Sequence, residues 1–208
     1  MNWVFDLDGT LYTPLDHVWD EMVYEMRTYF VDTLHLPVDW SPEEQNRLKS
    51  KWQTKQTIIA YLDEFDLDFN ALVEATHLPI VDRLNIQIRP GVHRIRDLPG
   101  KKWILTNSPE SFARALLVKL DLLDVFDGVY GIQHDFKIAK PHPKSYERIP
   151  AHSQTVMIDD WHENLIVPHA LGWKTVWFPE QNQSHKSFFP EHVHHVMTSL
   201  DELHRLVP

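Results

Sequence analysis

Two aspartates, Asp6 and Asp8, stand one residue apart directly after the apolar run Trp3–Phe5. The apolar run predicts a short buried strand, and a spacing of two residues in extended backbone sends both carboxylates to one face. Two like charges on one face repel each other and are costly to bury unpaired, so we expect a cation between them. Oxygen ligands of this kind suit Mg²⁺, and Gly9 permits a sharp turn out of the strand.

Polar side chains also follow two apolar runs later in the chain. Thr106 comes after the run Trp103–Leu105, and the pair Asp159 and Asp160 comes after Thr155–Ile158. In open parallel sheets, ligands bind beyond the carboxyl ends of the strands. We therefore expect these side chains to converge with the two N-terminal aspartates on one site.

Four stretches of the chain resemble, in order, the motif set of the haloacid dehalogenase-like phosphohydrolases: Asp6-Leu7-Asp8-Gly9-Thr10-Leu11, Ile104-Leu105-Thr106-Asn107, Lys140-Pro141 and Ile158-Asp159-Asp160. The resemblance covers nearly the whole chain. Within the superfamily, the motif layout is most similar to the helical-cap subfamily and its pyrimidine 5′-nucleotidase branch. The chain departs from that branch at residues 52–57, where Trp-Gln-Thr-Lys-Gln-Thr replaces a Gly-Thr-Thr-Leu-like stretch.

The resemblance implies a covalent mechanism of phosphate ester hydrolysis. Asp6 would be the nucleophile that forms an aspartyl-phosphate, and Asp8 would be the general acid and then the general base. The Thr106 hydroxyl and the backbone N–H of Asn107 would bind a phosphoryl oxygen. Lys140 would neutralise charge on Asp6 and on the phosphoryl group, since it, unlike the nearby Lys137, precedes the proline of the family pattern.

The same resemblance implies a Mg²⁺ site. Its ligands would be Asp6, the backbone carbonyl of Asp8, Asp160 directly, and Asp159 either directly or through water. The metal would clamp the nucleophile and a phosphoryl oxygen. Trp161 stands where serine is frequent in the family, and Asn164 stands where some relatives carry another acid and is a candidate to hold a metal-bound water.

Helical and strand patterns place these motifs in an α/β fold. Residues 14 to about 88 carry helical periodicity throughout, with stretches near 15–34, 54–65 and 68–76 and a capped helix opening at Ser41. From Lys101 onward, short apolar runs alternate with helices, which predicts a Rossmann-like parallel sheet with helices on both faces. We expect residues 1–13 and 89–208 to form this core and residues 14–88 to form an inserted helical cap.

Substrate selection is assigned to the cap, because the four motifs act on any phosphomonoester. Trp52 and Lys55 lie in a polar-aromatic break between two cap helices. Trp52 is a candidate to stack on a base or cover a sugar, and Lys55 is a candidate to meet a second anionic group. A plain interhelical loop is the alternative interpretation.

The fourteen histidines are mostly interpreted as structural. His192, His194 and His195 resemble a metal cluster by number, but the valines among them favour a last strand with its preceding loop. His142 and His162 lie beside site motifs and are candidates for substrate contact.

Composition limits the partners of the protein. The 208 residues include 20 basic and 30 acidic residues, and the net charge of −10 argues against non-specific nucleic-acid binding. The absence of cysteine excludes disulfides and thiol chemistry. No apolar run reaches the roughly 20 residues that span a bilayer, and we see no signal peptide. We expect a cytoplasmic protein without membrane or nucleic-acid partners, either a monomer or a homodimer.

Taken together, these features predict a Mg²⁺-dependent phosphatase that acts on a small phosphorylated substrate, with a 5′-nucleotide as one candidate. Phosphoglycolate or a sugar phosphate stays open as the substrate. A phosphomutase and a non-catalytic binding module on the same fold also stay open. Asp8 favours phosphate chemistry over dehalogenation, since a dehalogenase needs no acid at that position.

Overall fold

A six-stranded parallel sheet forms the centre of the molecule in the computed structural model. Eight strands are present in the described residues: β1 (Asn2–Phe5), β2 (Tyr12–Pro14), β3 (Ile86–Ile88), β4 (Lys101–Pro109), β5 (Gly128–Ile132), β6 (Thr155–Asp159), β7 (Lys174–Trp177) and β8 (His195–Val196). The large sheet has the order β5-β4-β1-β6-β7-β8. The structure describes residues 1–14, 18–36, 39–133, 135–150, 154–179 and 189–207.

The sheet has a hydrophobic core on each face, because successive side chains of a strand point to opposite sides. Trp3 and Phe5 of β1 belong to the larger core, and Val4 between them belongs to the smaller one. Both strands that flank β1 follow the same alternation. The Rossmann-like α/β fold expected from the sequence is therefore confirmed, including the burial of β1 on both sides.

Seven α-helices are present in the described residues: α1 (Val18–Thr28), α2 (Pro42–Lys51), α3 (Thr57–Phe65), α4 (Phe69–Thr76), α5 (Glu110–Lys119), α6 (Pro143–Tyr146) and α7 (Ile166–Ala170). A π-helical turn, Tyr29–Thr33, extends α1. Ser41 caps α2 as expected, since its hydroxyl accepts the backbone N–H of Glu44. A 3₁₀ turn, His162–Leu165, leads directly into α7.

The segment between β1 and β4 is not all-helical, and the sequence interpretation was wrong on this point. Tyr12–Pro14 and Ile86–Ile88 pair as an antiparallel two-stranded ribbon, β2 and β3, before and after helices α1–α4. Such a ribbon escapes detection because each strand has three residues and its partner lies more than 70 residues away in the chain. Pro14 fits there because an edge position leaves its missing N–H without consequence.

Lys119, at the end of α5, links that helix to the backbone that follows α4. Its ammonium donates hydrogen bonds to the backbone carbonyls of Val81, Asp82 and Leu84, at 2.7, 3.0 and 2.8 Å. The three carbonyls lie just after helices α1–α4. The hydrogen bonds therefore attach the end of this helical segment to α5. In the described part of the chain, no helix has the length and apolar character required to cross a membrane.

Candidate active site

The register of the sheet brings the acidic motifs together at one edge. Phe5 of β1 pairs with Ile158 of β6, so Asp6 and Asp159, which follow them, stand side by side. The backbone N–H of Asp6 donates to the carbonyl of Ile158 at 2.9 Å. Thr106 lies on the other neighbour, β4. Parallel pairing thus produces the convergence expected from the sequence.

Lys140 joins the carboxylates of two strands. Its ammonium lies 2.6 Å from Asp6 Oδ1 and 2.6 Å from Asp159 Oδ2, and all three side chains are buried. Burial by itself lowers the pKa of Lys140, but the carboxylates of Asp159 and Asp6 outweigh it and raise that pKa above its usual value. Lys140 therefore stays charged and acts as a fixed cation beside Asp6.

Asp160 adds a third carboxylate to this cluster. Asp6, Asp159 and Asp160 each offer an oxygen atom, and these atoms lie within 4.8 Å of one another. Burial raises the pKa of Asp6 to about 7, against the opposing attraction of Lys140. Burial together with repulsion from Asp6 and Asp159 raises the pKa of Asp160 to about 9. Three carboxylates at this separation need additional positive charge to remain ionised together.

The donor set fits a divalent cation that prefers oxygen. Three carboxylates against one ammonium leave two uncompensated negative charges, which is the charge of Mg²⁺. Gly9 allows the approach, because it has a φ of +82° and a Cβ there would lie 2.2 Å from Asp160 Oδ2. Asp6 and Asp160 have the less occupied oxygens and are the better candidates to contact the metal directly.

Both oxygens of Asp159 already have partners. Oδ2 is bonded to Lys140, while Oδ1 accepts the side-chain amide of Asn164 and the backbone N–H of Trp161, each at 2.9 Å. The backbone of Asn164 is held in turn, because its main-chain carbonyl accepts the Tyr146 hydroxyl at 2.7 Å. Asn164, which the sequence marked as a candidate for a metal-bound water, orients Asp159 in this structure.

Asp8 has hydroxyl partners in place of an ammonium. Ser108 Oγ and Thr106 Oγ1 donate to Asp8 Oδ2 at 2.7 and 3.1 Å, and the Tyr12 hydroxyl donates to Asp8 Oδ1. Asp8 is half-buried and borders the cavity described below. A carboxyl group held by neutral donors can exchange a proton without breaking an ion pair, as a general acid and base requires.

Asn107 fixes the loop that carries Lys140. Its side-chain amide donates to the Lys140 carbonyl at 3.1 Å, and its side-chain oxygen accepts the Lys140 backbone N–H at 2.7 Å. The sequence predicted a phosphoryl contact for the backbone of Asn107 and missed this role of its side chain. The competing Lys137 forms an ion pair with Asp63 of α3 at 2.8 Å. The choice of Lys140 over Lys137 thus agrees with the positions of their ammonium groups.

A cavity of about 720 Å³ lies between these groups and the helical segment. Asp6, Asp8, Thr106, Lys140 and Asp160 line its floor. The opposite wall, which the helical segment supplies, includes polar residues as well as five apolar ones: Met22, Val23, Met26, Trp40 and Ile58. The sequence predicted a site role for none of these five residues, because four of them have a helical spacing that is equally typical of core positions and Trp40 precedes the cap of α2.

The two cap residues selected from the sequence lie in different surroundings. Lys55 lines the cavity, is exposed, and has no hydrogen-bond or ion-pair partner among the described residues. Trp52 lies outside it and lines a neighbouring cavity of about 540 Å³. Its indole N–H donates to Glu64 at 2.8 Å. Lys55 therefore lines both cavities, whereas Trp52 lines only the neighbouring one, which Lys140 also borders.

The histidines near the motifs make mostly structural contacts. His195 lies in β8, and the His194 backbone bonds to Thr175, so the expected last strand is confirmed. His192 contacts the carbonyl of His162, whose ring packs edge-on against Trp177. His142 caps α6 by accepting the Lys144 backbone N–H at 3.3 Å and borders the neighbouring cavity.

One histidine that the sequence analysis passed over does reach the main cavity. His77, at the end of α4, lines it while remaining 3% exposed. Burial lowers the pKa of His77 to about 4, so the ring is neutral near pH 7. Its Nδ1 lies 2.7 Å from Thr76 Oγ1, whose own proton is donated to the Leu72 carbonyl. His77 Nδ1 therefore carries the ring proton.

The chain belongs to the haloacid dehalogenase-like hydrolases, since the model of that family matches residues 3–172. It is accordingly an enzyme, a hydrolase. Membership accounts for the order of the four motifs along the strands. The superfamily assignment made from the sequence is confirmed, while the helical-cap subfamily and the nucleotidase branch stay predictions.

Solved structures of the same fold cover almost the entire chain. A HAD phosphatase from Thermococcus onnurineus is 21% identical, with a TM-score of 0.65 over 99% of this chain and 96% of that one. CbbY from Rhodobacter sphaeroides, in complex with phosphate, is 19% identical, with a TM-score of 0.66 over 97% and 95%. The HAD-hydrolase YfnB from Bacillus subtilis, bound to magnesium, is 18% identical, with a TM-score of 0.59 over 99% and 97%.

Proposed function

We propose that this hydrolase is a Mg²⁺-dependent phosphatase that cleaves a phosphomonoester through an aspartyl-phosphate on Asp6. The observation that carries the proposal is the contrast between the two neighbouring aspartates. Asp6 lies against a buried ammonium, and Asp8 lies among hydroxyls. One is suited to act as a nucleophile and the other to transfer protons.

The first step transfers the phosphoryl group to Asp6. Lys140 holds Asp6 Oδ1 at 2.6 Å, whereas Oδ2 has only a long contact of 3.4 Å with Thr10 Oγ1 and is the freer oxygen for attack on phosphorus. As the P–O bond to the leaving group breaks, Asp8 gives its proton to the leaving oxygen. The alcohol departs, and Asp8 is left as a carboxylate.

The second step restores the enzyme. Asp8 accepts a proton from water as that water attacks the phosphorus of the aspartyl-phosphate, which releases inorganic phosphate and regenerates the Asp6 carboxylate. Lys140 stays close to Asp6 in both steps and stabilises the charge that develops there. Mg²⁺, when bound by Asp6, Asp160, the Asp8 carbonyl and Asp159 directly or through water, supplies the positive charge that lets these carboxylates and a phosphoryl oxygen lie together.

The apolar residues in the wall of the cavity favour a substrate whose leaving group is larger than glycolate. Met22, Met26 and Trp40 offer an apolar surface that a small, highly charged group would leave unused. A nucleoside would use it, and this favours a 5′-nucleotide among the candidate substrates. Phosphoglycolate or a sugar phosphate is the second candidate, favoured by the unpartnered ammonium of Lys55.

The test is phosphate release from p-nitrophenyl phosphate, 5′-nucleotides, phosphoglycolate and sugar phosphates, with Mg²⁺ and with EDTA. We expect release that EDTA stops and added Mg²⁺ restores, with the highest kcat/KM for a nucleotide. Transfer of phosphate back to a sugar without net release would identify a phosphomutase. Binding without turnover would identify a non-catalytic module, and undiminished release after exhaustive chelation would refute the metal dependence.

A further inference from the structure

Tyr12 stands at the boundary between the catalytic sheet edge and the helical segment. It lies in β2, four residues after Asp8, and pairs with Ile88 of β3. Its side chain is 0% exposed, and its hydroxyl donates to Asp8 Oδ1. A second link, a backbone bridge, joins Asp8 to the same residue. The tyrosine is therefore fixed both by its own burial and by its strand.

The other oxygen of Asp8 is held from the opposite side. Ser108 and Thr106, at the end of β4, donate to Oδ2, and the Ser108 backbone N–H donates to Thr106 Oγ1 at 3.0 Å. Of the three hydroxyls, only that of Tyr12 contacts Oδ1. Loss of this hydroxyl would leave the carboxyl group free to rotate about one fixed oxygen.

A hydroxyl suits a partner that changes its protonation state. It donates to a carboxylate oxygen, and by rotating it can accept from a carboxylic acid, so it can hold Asp8 before and after proton transfer. A lysine in the same place would donate only and would favour the carboxylate throughout. The hydroxyls at the end of β4 and the hydroxyl of Tyr12 in β2 therefore together determine the position of the Asp8 carboxyl group and of the proton that it transfers.

We infer that Tyr12 is a positioning residue that holds the Asp8 carboxyl group in line with the leaving oxygen of the substrate. The inference rests on the proposed function. In the step concerned, Asp8 gives its proton to the leaving oxygen as the P–O bond breaks and the Asp6–phosphorus bond forms. In this role Tyr12 acts only through Asp8 and contacts neither the phosphoryl group nor the leaving group.

Leaving groups of different strength separate this role from a structural one. An alkoxide leaves poorly and needs the proton from Asp8, whereas p-nitrophenolate leaves without it. The parameter kcat/KM covers the steps up to release of the alcohol, so slow hydrolysis of the aspartyl-phosphate does not affect it. We expect Tyr12→Phe to lower kcat/KM about tenfold or more for an alkyl phosphomonoester, roughly 1.4 kcal/mol, and less than about twofold for p-nitrophenyl phosphate.

The matched control is Tyr61→Phe. Tyr61 is likewise 0% exposed, and its hydroxyl donates to the backbone carbonyl of Asp39, away from Asp8. We expect this change to leave the ratio of the two kcat/KM values as in the unaltered enzyme. Ser108→Ala removes a donor from the other oxygen of Asp8 and should shift the ratio in the same direction as Tyr12→Phe.

Thermal unfolding of each variant is measured beside the kinetics. If Tyr12→Phe does not fold, the assay is repeated with Tyr12→Met, whose flexible side chain fills apolar space without a hydroxyl. An equal fall for both esters, or no change for either, would overturn the positioning role. Failure of the unaltered enzyme to hydrolyse either ester would instead refute the proposed phosphatase function.

Discussion

The two aspartates of the first motif differ in their partners although they are two residues apart. Asp6 accepts from the ammonium of Lys140, and Asp8 accepts from neutral hydroxyls. Divergent environments for neighbouring carboxyl groups are how one site supports a nucleophile and a proton donor at the same pH. At the scale of single residues, the proposed division of labour therefore follows from what each side chain contacts.

Replacing Asp6, the proposed nucleophile, should remove turnover and preserve the fold. We expect Asp6→Asn to reduce kcat by about 10⁴-fold or more, because asparagine keeps the shape of aspartate and cannot form the covalent intermediate. Stability without metal should hold or rise, since the change removes one of three mutually repelling carboxylates. Steady-state kinetics and thermal melting in EDTA measure both effects.

Asp121→Asn is the control for this substitution. Its side chain is 99% exposed, and its φ of +56° is one that asparagine tolerates. Activity and melting temperature should match the unaltered protein. A folded Asp6→Asn variant with full activity would exclude Asp6 as the nucleophile.

At the scale of elements, strand ends were easier to predict than helix faces. The motif residues follow apolar runs, and parallel pairing alone brings the ends of β1, β4 and β6 together. Contacts such as that of Tyr12 with Asp8 depend on rotamers and on a ribbon whose strands are far apart in sequence. Neither the rotamers nor the pairing of distant strands can be predicted from local sequence patterns.

The tryptophans of the helical segment show the same limit. Trp40 stacks on Tyr61, with ring centroids 4.6 Å apart, and borders the cavity. Trp52 is directed by its hydrogen bond to Glu64 and by Lys51, whose ammonium lies 5.0 Å from the ring centroid. Both residues stand near helix ends in the sequence, so only tertiary packing distinguishes them.

The position of Trp40 leads to a prediction about specificity. Trp40→Leu should raise KM for the best nucleotide substrate about tenfold, roughly 1.4 kcal/mol, because it removes much of the flat apolar wall. Turnover of p-nitrophenyl phosphate should change less than about twofold, since this small ester makes few contacts with the helices. Steady-state kinetics on both substrates provide the measurement.

Trp52→Leu is measured in parallel, because the sequence favoured Trp52 for the same role. A larger rise in KM for Trp52→Leu than for Trp40→Leu would restore the interpretation made from the sequence. Equal losses on both substrates would instead assign Trp40 to folding of the helical segment.

His77, at the end of α4, should make stability depend on pH. Burial lowers the pKa of His77 in the folded state from 6.5 to about 4. Between these two pH values the unfolded chain binds a proton at His77 and the folded chain does not. Above pH 6.5 His77 does not lower the free energy of unfolding through protonation. As the pH falls from 6.5 towards 4, protonation of the unfolded chain lowers that free energy progressively. The loss is about 1.4 kcal/mol per pH unit and roughly 3 kcal/mol in total.

His77→Asn isolates this contribution, because an asparagine amide can still donate to Thr76 Oγ1 and does not titrate. Urea unfolding at several pH values should show the difference in stability between wild type and variant shrinking or reversing as the pH falls from 6.5 towards 4. A difference that is constant over this range would show that His77 has the same pKa in the folded and the unfolded chain.

At the scale of the whole molecule, the site is a charge cluster shared by two strand ends and one loop. Asp6 comes from β1, Asp159 from β6, and Lys140 from the loop after β5, so ionisation of the cluster acts on the packing of the sheet itself. The helical segment covers the cluster and reduces its contact with water. A cation that binds there should therefore stabilise the folded chain as a whole.

Magnesium should accordingly raise the melting temperature of the protein without any substrate. A ligand at about 100 times its Kd stabilises the folded state by about 2.7 kcal/mol, which corresponds to roughly 5–10 °C for a chain of this size. We expect this shift on adding MgCl₂ to EDTA-treated protein, with NaCl at matched ionic strength as the comparison. Asp160→Asn should abolish most of it, because Asp160 is one of the three converging carboxylates and has the freer oxygens. Asp121→Asn should retain it, since that side chain is 99% exposed. A shift of equal size with sodium, or one that survives in Asp160→Asn, would show that the ion does not bind among these carboxylates.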